Sequence, residues 1–166
     1  QPLTGWWSHA EPLAFSPDYE RSPGIKAMLT GTQPILSMRA IVAALDALEG
    51  VDLNAVRAKS EALTDLFIAL VEERCGGHGL ELVTPRDAAI RGSHVSWRHE
   101  HGYAISQALV ARGVVGDFRA PDIMRFGLAP LYLRYADIAD AVDHLREILE
   151  TGTWRDPAYA QRSLVT

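Results

Sequence analysis

Thr32 stands two residues before Pro34, in the run Gly-Thr-Gln-Pro-Ile-Leu of residues 31–36. Proline suits the first position of a helix, so a helix is predicted to begin at Pro34. The free N–H groups of its first turn, together with the threonine hydroxyl, would suit a phosphate dianion. Simple capping of the helix requires the same spacing, so both interpretations stay open.

Trp6 and Trp7 are adjacent, in the run Gly-Trp-Trp-Ser-His of residues 5–9. An indole N–H donates a hydrogen bond and cannot accept one. It can therefore serve a phosphate oxygen while the ring forms an apolar wall. A buried aromatic pair is the alternative interpretation. No hydrophobic pattern surrounds the pair, and this favours a binding role.

Arg125 lies in a strand predicted over residues 123–128. Alternation along the strand puts Met124 and Phe126 on one face and Arg125 on the other, while Gly127 leaves open space beside it. A fixed guanidinium in such a place can hold a carboxylate through two parallel hydrogen bonds. A surface salt bridge would use the same residue, and the pattern does not decide between the two.

His99, Glu100 and His101 are residue types that bind metals. No third ligand is evident, so we expect a solvated loop and no metal site. Cys75 is the only cysteine, which excludes an internal disulfide and fits a reducing compartment. We therefore expect a cytoplasmic protein.

The composition argues against two classes of partner. A formal net charge of -5 is unlike that of a nucleic-acid binder, which usually carries a basic face. No apolar run approaches the roughly 20 residues that span a bilayer. With 48% hydrophobic and 22% charged residues, the chain can bury a real core.

The first third of the chain is predicted to contain little regular structure. Residues 1–33 are rich in proline and glycine, which indicates an extended or looping segment that lies against another surface. Residues 34–50 are interpreted as a connecting helix that ends at Gly50. Its apolar stripe consists of Ile35, Met38, Ile41, Val42, Leu45 and Leu48.

The remainder predicts an α+β domain over residues 51–166. Asp52 is expected to cap a helix with Leu53, Val56, Leu63, Phe67 and Leu70 on one face. Strands are predicted at residues 80–83, 93–98, 114–118 and 123–128, and further helices at 103–112 and 135–150. This order predicts helices packed on one face of a small antiparallel or mixed sheet.

The chain opens on Gln1 without an initiator methionine or a targeting pattern. An adjacent tryptophan pair is an unusual feature for a frayed terminus. We therefore expect the chain to begin inside a longer protein.

Together these runs closely resemble the bacterial kynureninases. The resemblance rests on residues 5–7 with His9, and on residues 31–36, 114–119, 125–127 and 129–132. It covers essentially the whole chain, with the motifs in the right order. The departure is Ser8, where the family normally has glycine, and its added bulk is expected to crowd the turn that carries the tryptophans.

The resemblance implies a homodimer with a type I pyridoxal-phosphate fold, in which residues 1–33 belong to the cofactor-binding region. Such an enzyme hydrolyses L-kynurenine to anthranilate and L-alanine, in tryptophan catabolism and NAD biosynthesis. By the same resemblance, Trp6 and Thr32 bind the cofactor phosphate and reach into the neighbouring subunit's site. Arg125 would hold the substrate's α-carboxylate, and Trp7 would line the pocket near the aromatic ring.

The catalytic lysine of such enzymes, with the aspartate and the aromatic residue that contact the cofactor ring, lies upstream of these motifs. Lys26 lies in a loop and Lys59 in a helix, and neither has the expected surroundings, so the chain alone is expected to be inactive. Another type I enzyme, such as a cysteine desulfurase or an aminotransferase, is an alternative, although it leaves the tryptophan pair unexplained. A non-catalytic interaction domain is the other alternative.

Overall fold

Helix α2 (Leu53–Arg74) begins where the sequence predicts, in a computed structural model that describes residues 3–161. The Asp52 carboxylate accepts a hydrogen bond from the Asn54 N–H at 2.9 Å and so caps the helix. Leu63 and Phe67 are buried as the stripe predicts, whereas Leu53 is exposed. Cys75 ends the helix.

The sheet has four antiparallel strands in the order β1-β2-β4-β3. Their bounds are β1 Glu81–Leu82, β2 His94–Arg98, β3 Asp117–Arg119 and β4 Ile123–Gly127. Strand β3 begins three residues later than predicted. The reason is that the Val114 N–H donates to the Leu109 carbonyl at 3.0 Å and so still closes the preceding helix.

Three longer helices form one core with this sheet: two of them contact its strands, and the last packs on the other two. They are α2, α3 (Gly102–Val110) and α4 (Tyr135–Thr151), and a short α5 (Pro157–Ala160) follows. Val95 and Trp97 of β2 and Met124 of β4 point into the core that these helices share. The fold of this part is therefore α+β, with an antiparallel sheet.

Two compact units divide the chain, residues 1–51 and residues 52–166. In the described part of the first unit, the regular elements are α1 (Ile35–Asp46) and three short 3-10 turns at Trp6–Ser8, Pro12–Ala14 and Gly24–Met28. Helix α1 ends four residues before the predicted end. The N–H groups of Leu48 and Glu49 donate to carbonyls three residues back, as in a 3-10 turn, and so do not continue the α-helix.

The apolar stripe predicted for α1 is not buried. No residue of α1 is buried, and Leu36 is 87% exposed. Ala27 is the one buried apolar side chain among residues 3–51. The core therefore belongs to residues 52–161. None of the helices described is both long and apolar enough to cross a membrane.

Candidate functional site

The tryptophan pair lies on a single 3-10 turn, Trp6–Ser8. The two rings contact each other, with centroids 4.6 Å apart and planes tilted by 37°. Trp6 is 48% exposed, whereas Trp7 is half-buried and its indole N–H is buried without a hydrogen-bond partner. A simple buried aromatic pair does not describe this arrangement, because one ring remains open to solvent.

Ser8 fits this turn without crowding it, contrary to the expectation from sequence. Its hydroxyl is fully buried and donates to the Gly5 carbonyl at 2.6 Å, while the Gly5 N–H donates back to Ser8 Oγ at 3.1 Å. The Tyr19 hydroxyl lies 2.9 Å from Ser8 Oγ and donates to the Ser8 carbonyl at 3.3 Å. The serine thus ties the turn to the following loop.

Gly5 packs the turn directly against the segment that leads to Thr32. A Cβ atom at Gly5 would lie 1.7 Å from the carbonyl oxygen of Thr30, so no other residue fits without movement of the backbone. The close approach sets the tryptophan turn beside residues 30–32. The glycine of this motif is therefore needed for packing within the first unit.

Thr32 does not cap helix α1. The helix has Pro34 as its N-cap and no side-chain hydrogen bond to its first turn, and Thr32 is exposed. The capping interpretation of the Gly-Thr-Gln-Pro run is thus not what the structure shows. The first-turn N–H groups and the threonine hydroxyl remain available to an anion.

A cavity of about 400 Å³ opens beside the exposed tryptophan. It is lined by Thr4, Gly5, Trp6, His9, Glu11, Pro12, Phe15, Ser16, Pro17 and Tyr19. Trp7 is not among these residues. The two tryptophans therefore differ in surroundings, and Trp6 is the one whose ring faces open space.

Arg125 belongs to the second unit and lies on the sheet face opposite the core, as the alternation predicts. Its strand partners in register are Ser96 of β2 and Asp117 of β3. Arg125 Nε donates to Asp117 Oδ1 at 2.9 Å, and Nη2 donates to Oδ2 at 2.5 Å. The hydrogen-bonded guanidinium lowers the pKa of the Asp117 carboxyl, so the pair stays ionised near neutral pH.

Around Arg125 lies a cavity of about 400 Å³. Its lining residues are His94, Val115, Gly116, Asp117, Arg125 and Gly127. A side chain at Gly127 would meet no atom within 4 Å, which confirms the open space expected there. At Gly116 a Cβ would lie 2.8 Å from the Arg125 carbonyl oxygen, so this glycine lets β3 close on β4.

Sequence reasoning did not select Asp117 or His94 for this cavity. In the sequence, strand alternation is the only signal that could have indicated these two residues. It shows that they lie on the same face as Arg125 only when the register of the paired strands is known. The structure therefore contains features of both interpretations of Arg125. It makes an ion pair, and it also lines an open cavity.

The solvated loop expected at residues 99–101 is found in part: Glu100 and His101 are exposed on a turn, whereas His99 is buried. His99 is buried, its Nδ1 accepts from the His101 N–H, and its Nε2 donates to the His78 carbonyl, each at 3.0 Å. His101 stacks on Trp154 with ring centroids 4.3 Å apart. Among residues 3–161 there is no group of three or more side chains that could hold a metal.

Cys75 is a poor nucleophile in this fold. Its side chain is buried, and desolvation raises the pKa of the thiol to about 11. Cys75 therefore does not define a second reactive centre.

The donors of the first unit fit a phosphate-bearing cofactor. The indole N–H of Trp7 is buried without a hydrogen-bond partner, Trp6 is exposed, and the start of α1 has no side-chain cap, so this segment has N–H groups that an anion could accept from.

The fold and the site define an α+β domain with its core on one sheet face and an accessible arginine on the other, preceded by a segment with free anion donors. The kynureninase C-terminal domain family matches residues 56–145 of the chain. The chain therefore belongs to the kynureninase family.

Curated relatives agree with this assignment over the whole chain. Kynureninases of Burkholderia mallei (strain SAVP1) and Burkholderia pseudomallei (strain K96243) are each 54% identical to it over 166 residues. The kynureninase of Pseudomonas fluorescens is 52% identical over the same length. The chain spans 40% of the length of these relatives and matches their C-terminal portion. A desulfurase, an aminotransferase or a non-catalytic domain is not favoured.

Proposed function

We propose that the chain acts as the C-terminal part of a homodimeric, cytoplasmic enzyme that hydrolyses L-kynurenine to anthranilate and L-alanine. The observation that carries the proposal is the accessible guanidinium of Arg125 in an open cavity. Support comes from family membership and from relatives named kynureninase. The complete enzyme would have the type I pyridoxal-phosphate fold, with these residues forming its small domain and the segment before it.

Pyridoxal phosphate, when bound, would supply the electron-withdrawing ring that this class of reaction uses. The role of the first unit would be to hold the phosphate. Trp6 would donate its indole N–H, and Thr32 its hydroxyl together with the N–H groups that begin α1. Trp7 would form an apolar wall near the aromatic part of the substrate.

Arg125 would bind the α-carboxylate and so orient the substrate. A guanidinium binds a carboxylate through two parallel N–H···O bonds, which fix direction as well as position. Lys26 and Lys59 would have no catalytic role. Since the catalytic lysine would lie elsewhere in the complete enzyme, the isolated chain would be inactive.

Replacing Arg125 tests this function in the complete enzyme. Arg125→Ala should lower kcat/KM for kynurenine by about a hundredfold or more, because a bidentate charged contact is lost. Arg125→Lys should restore only part of the loss, because an ammonium cannot reproduce the planar fork. The measurement is steady-state kinetics together with cofactor occupancy, which should stay near normal.

Arg98→Ala is a matched control, because Arg98 is also a sheet arginine with a carboxylate partner, Glu81 at 3.0 Å. It does not line the Arg125 cavity, so turnover should remain close to that of the parent. Full turnover by Arg125→Ala would show that Arg125 is only an ion-pair partner, and the proposed function would lose its main support.

A further inference from the structure

The guanidinium of Arg125 has two edges that can each bind a carboxylate. The side edge, formed by Nε and Nη2, is occupied by Asp117. The end edge is formed by Nη1 and the second N–H of Nη2. No residue within the described part of the chain makes a hydrogen bond to Nη1. The end edge is therefore the one left for a ligand.

Strand pairing places Asp117 beside the side edge of the Arg125 guanidinium. Asp117 of β3 lies directly opposite Arg125 of β4, so their side chains leave the sheet on the same face. The contact of Gly116 with the Arg125 backbone holds the two strands close at this point. Both side chains are about one-third exposed, at 35% for Asp117 and 36% for Arg125. The pair is thus fixed by the backbone while it remains open to solvent.

The Arg125–Asp117 pair has no net charge and by itself would attract an anion only weakly. A second arginine makes the net charge of this group positive. Arg119 Nη2 lies 3.3 Å from Asp117 Oδ2, on the same strand. The two guanidinium groups and one carboxylate together leave one positive charge beside the cavity. A carboxylate that approaches the free edge of Arg125 therefore still meets a net attraction.

We propose that Asp117 is a positioning residue, which holds the side edge of Arg125 so that the end edge is presented to the α-carboxylate of the substrate. This inference rests on the proposed role of Arg125. An arginine side chain loses considerable rotamer freedom when it is immobilised by a ligand. Because Asp117 restricts the side chain beforehand, less freedom remains to be lost when substrate binds.

The test uses the complete enzyme with bound cofactor and the variant Asp117→Asn, which keeps the size of the side chain but turns an N–H group toward the guanidinium. KM for kynurenine should rise by about tenfold, as expected when a charge-assisted contact is weakened, with kcat changed much less. Inhibition by the kynurenine analogue that lacks only the α-carboxylate should be unaffected. In combination with Arg125→Ala, Asp117→Asn should add no further loss, because Asp117 acts through Arg125.

Glu81→Gln is the matched control, since it also removes one negative charge from an exposed ion pair of the sheet, with Arg98 at 3.0 Å. It should behave as the parent. Asp117→Glu, which keeps the charge on a longer arm, is a second variant and should show a smaller rise in KM. Thermal unfolding and cofactor occupancy show that each variant is folded.

An unchanged KM in Asp117→Asn and Asp117→Glu would overturn the proposal. A lower KM would overturn it too, because Asp117 would then compete with the substrate for Arg125. If Arg125→Ala loses substrate binding while Asp117→Asn does not, only the positioning role fails. If Arg125→Ala itself leaves KM unchanged, the proposed function of Arg125 fails as well.

Discussion

Trp6 and Thr32 are single residues whose side chains provide free donors in the first unit. Both are proposed to hold the cofactor phosphate, and removing one such charge-assisted hydrogen bond should cost about 1.5–3 kcal/mol, or one to two decades in affinity. Thr32→Ala and Trp6→Phe in the complete enzyme should therefore raise the Kd of pyridoxal phosphate. Fluorescence titration of the apoenzyme measures it.

Trp7→Phe is the informative comparison, because it removes the other indole N–H from the same turn. If Trp7 acts only as an apolar wall, the Kd of the cofactor should stay near that of the parent. A loss in Trp7→Phe with none in Trp6→Phe would instead assign the phosphate contact to the buried N–H of Trp7.

His99 gives the second domain a dependence on pH. Burial lowers the pKa of its imidazole, although the hydrogen bond to the His78 carbonyl opposes the shift. A histidine whose pKa is lower in the folded state contributes stability that is present above its unfolded pKa, about 6.5, and is lost as pH falls through the folded value. The free energy of unfolding should therefore decrease as the pH falls below about 6.5.

Urea unfolding of the chain with and without His99→Asn checks this expectation. The asparagine cannot gain a proton in this range, so the variant should lose stability less steeply as the pH falls. Parallel pH profiles for the two proteins would mean that other groups cause the dependence.

At the residue level, the sequence predicted the open space beside Arg125, but not its aspartate partner. Gly127 and the alternation of β4 are local features, which a sequence displays directly. The contact with Asp117 depends on the register between two strands, and register is decided by packing. The same limit explains why His99 was expected to be solvated, since its burial comes from packing in the fold.

At the level of elements, a buried arginine fastens the loop between β1 and β2 to helix α2. The Arg91 side chain is 1% exposed and donates to Thr64 Oγ1 at 3.1 Å, to the Arg86 carbonyl and to the Asp65 carboxylate. Arg57 of α2 also donates to the Ala88 and Arg91 carbonyls. These bonds stabilise a loop that has only one short 3-10 turn of its own.

Arg91→Ala should lower the free energy of unfolding by about 2–3 kcal/mol, because several hydrogen bonds to one charged group are lost. Asp65→Asn should cost less than Arg91→Ala, since the Asp65 side chain is 62% exposed and the amide oxygen of asparagine can still accept a hydrogen bond from Arg91. Urea unfolding distinguishes the two. Equal effects would contradict the view that burial of the guanidinium, rather than the ion pair, fixes the loop.

Helix and strand positions were largely predictable, because α2, α4 and β2 have apolar residues at regular spacing. Arg91 was not, since a lone arginine in a loop gives no sign that it is buried. The bounds of β3 were also missed, because a hydrogen bond that closes α3 competes with the strand. Periodicity in the sequence predicts each element separately. The burial of Arg91 and the start of β3 depend on contacts between elements.

At the scale of the molecule, nearly all the buried apolar side chains lie in residues 52–161. This part should therefore fold by itself. Residues 52–161 produced alone should unfold in one cooperative transition with native-like circular dichroism, whereas residues 1–51 alone should show little helix. A broad, non-cooperative transition in the larger piece would show that the first unit contributes to its stability.

The exposed apolar side chains of helix α1 also affect how chaperones and proteases would treat the protein in a cell. It presents large apolar side chains over several turns, with Ile35 and Ile41 each 59% exposed and Leu45 58% exposed. Chaperones and proteases recognise such stretches, and they sort chains by how long these surfaces stay uncovered. Until α1 is covered, the protein would remain open to this recognition even when residues 52–161 are already folded.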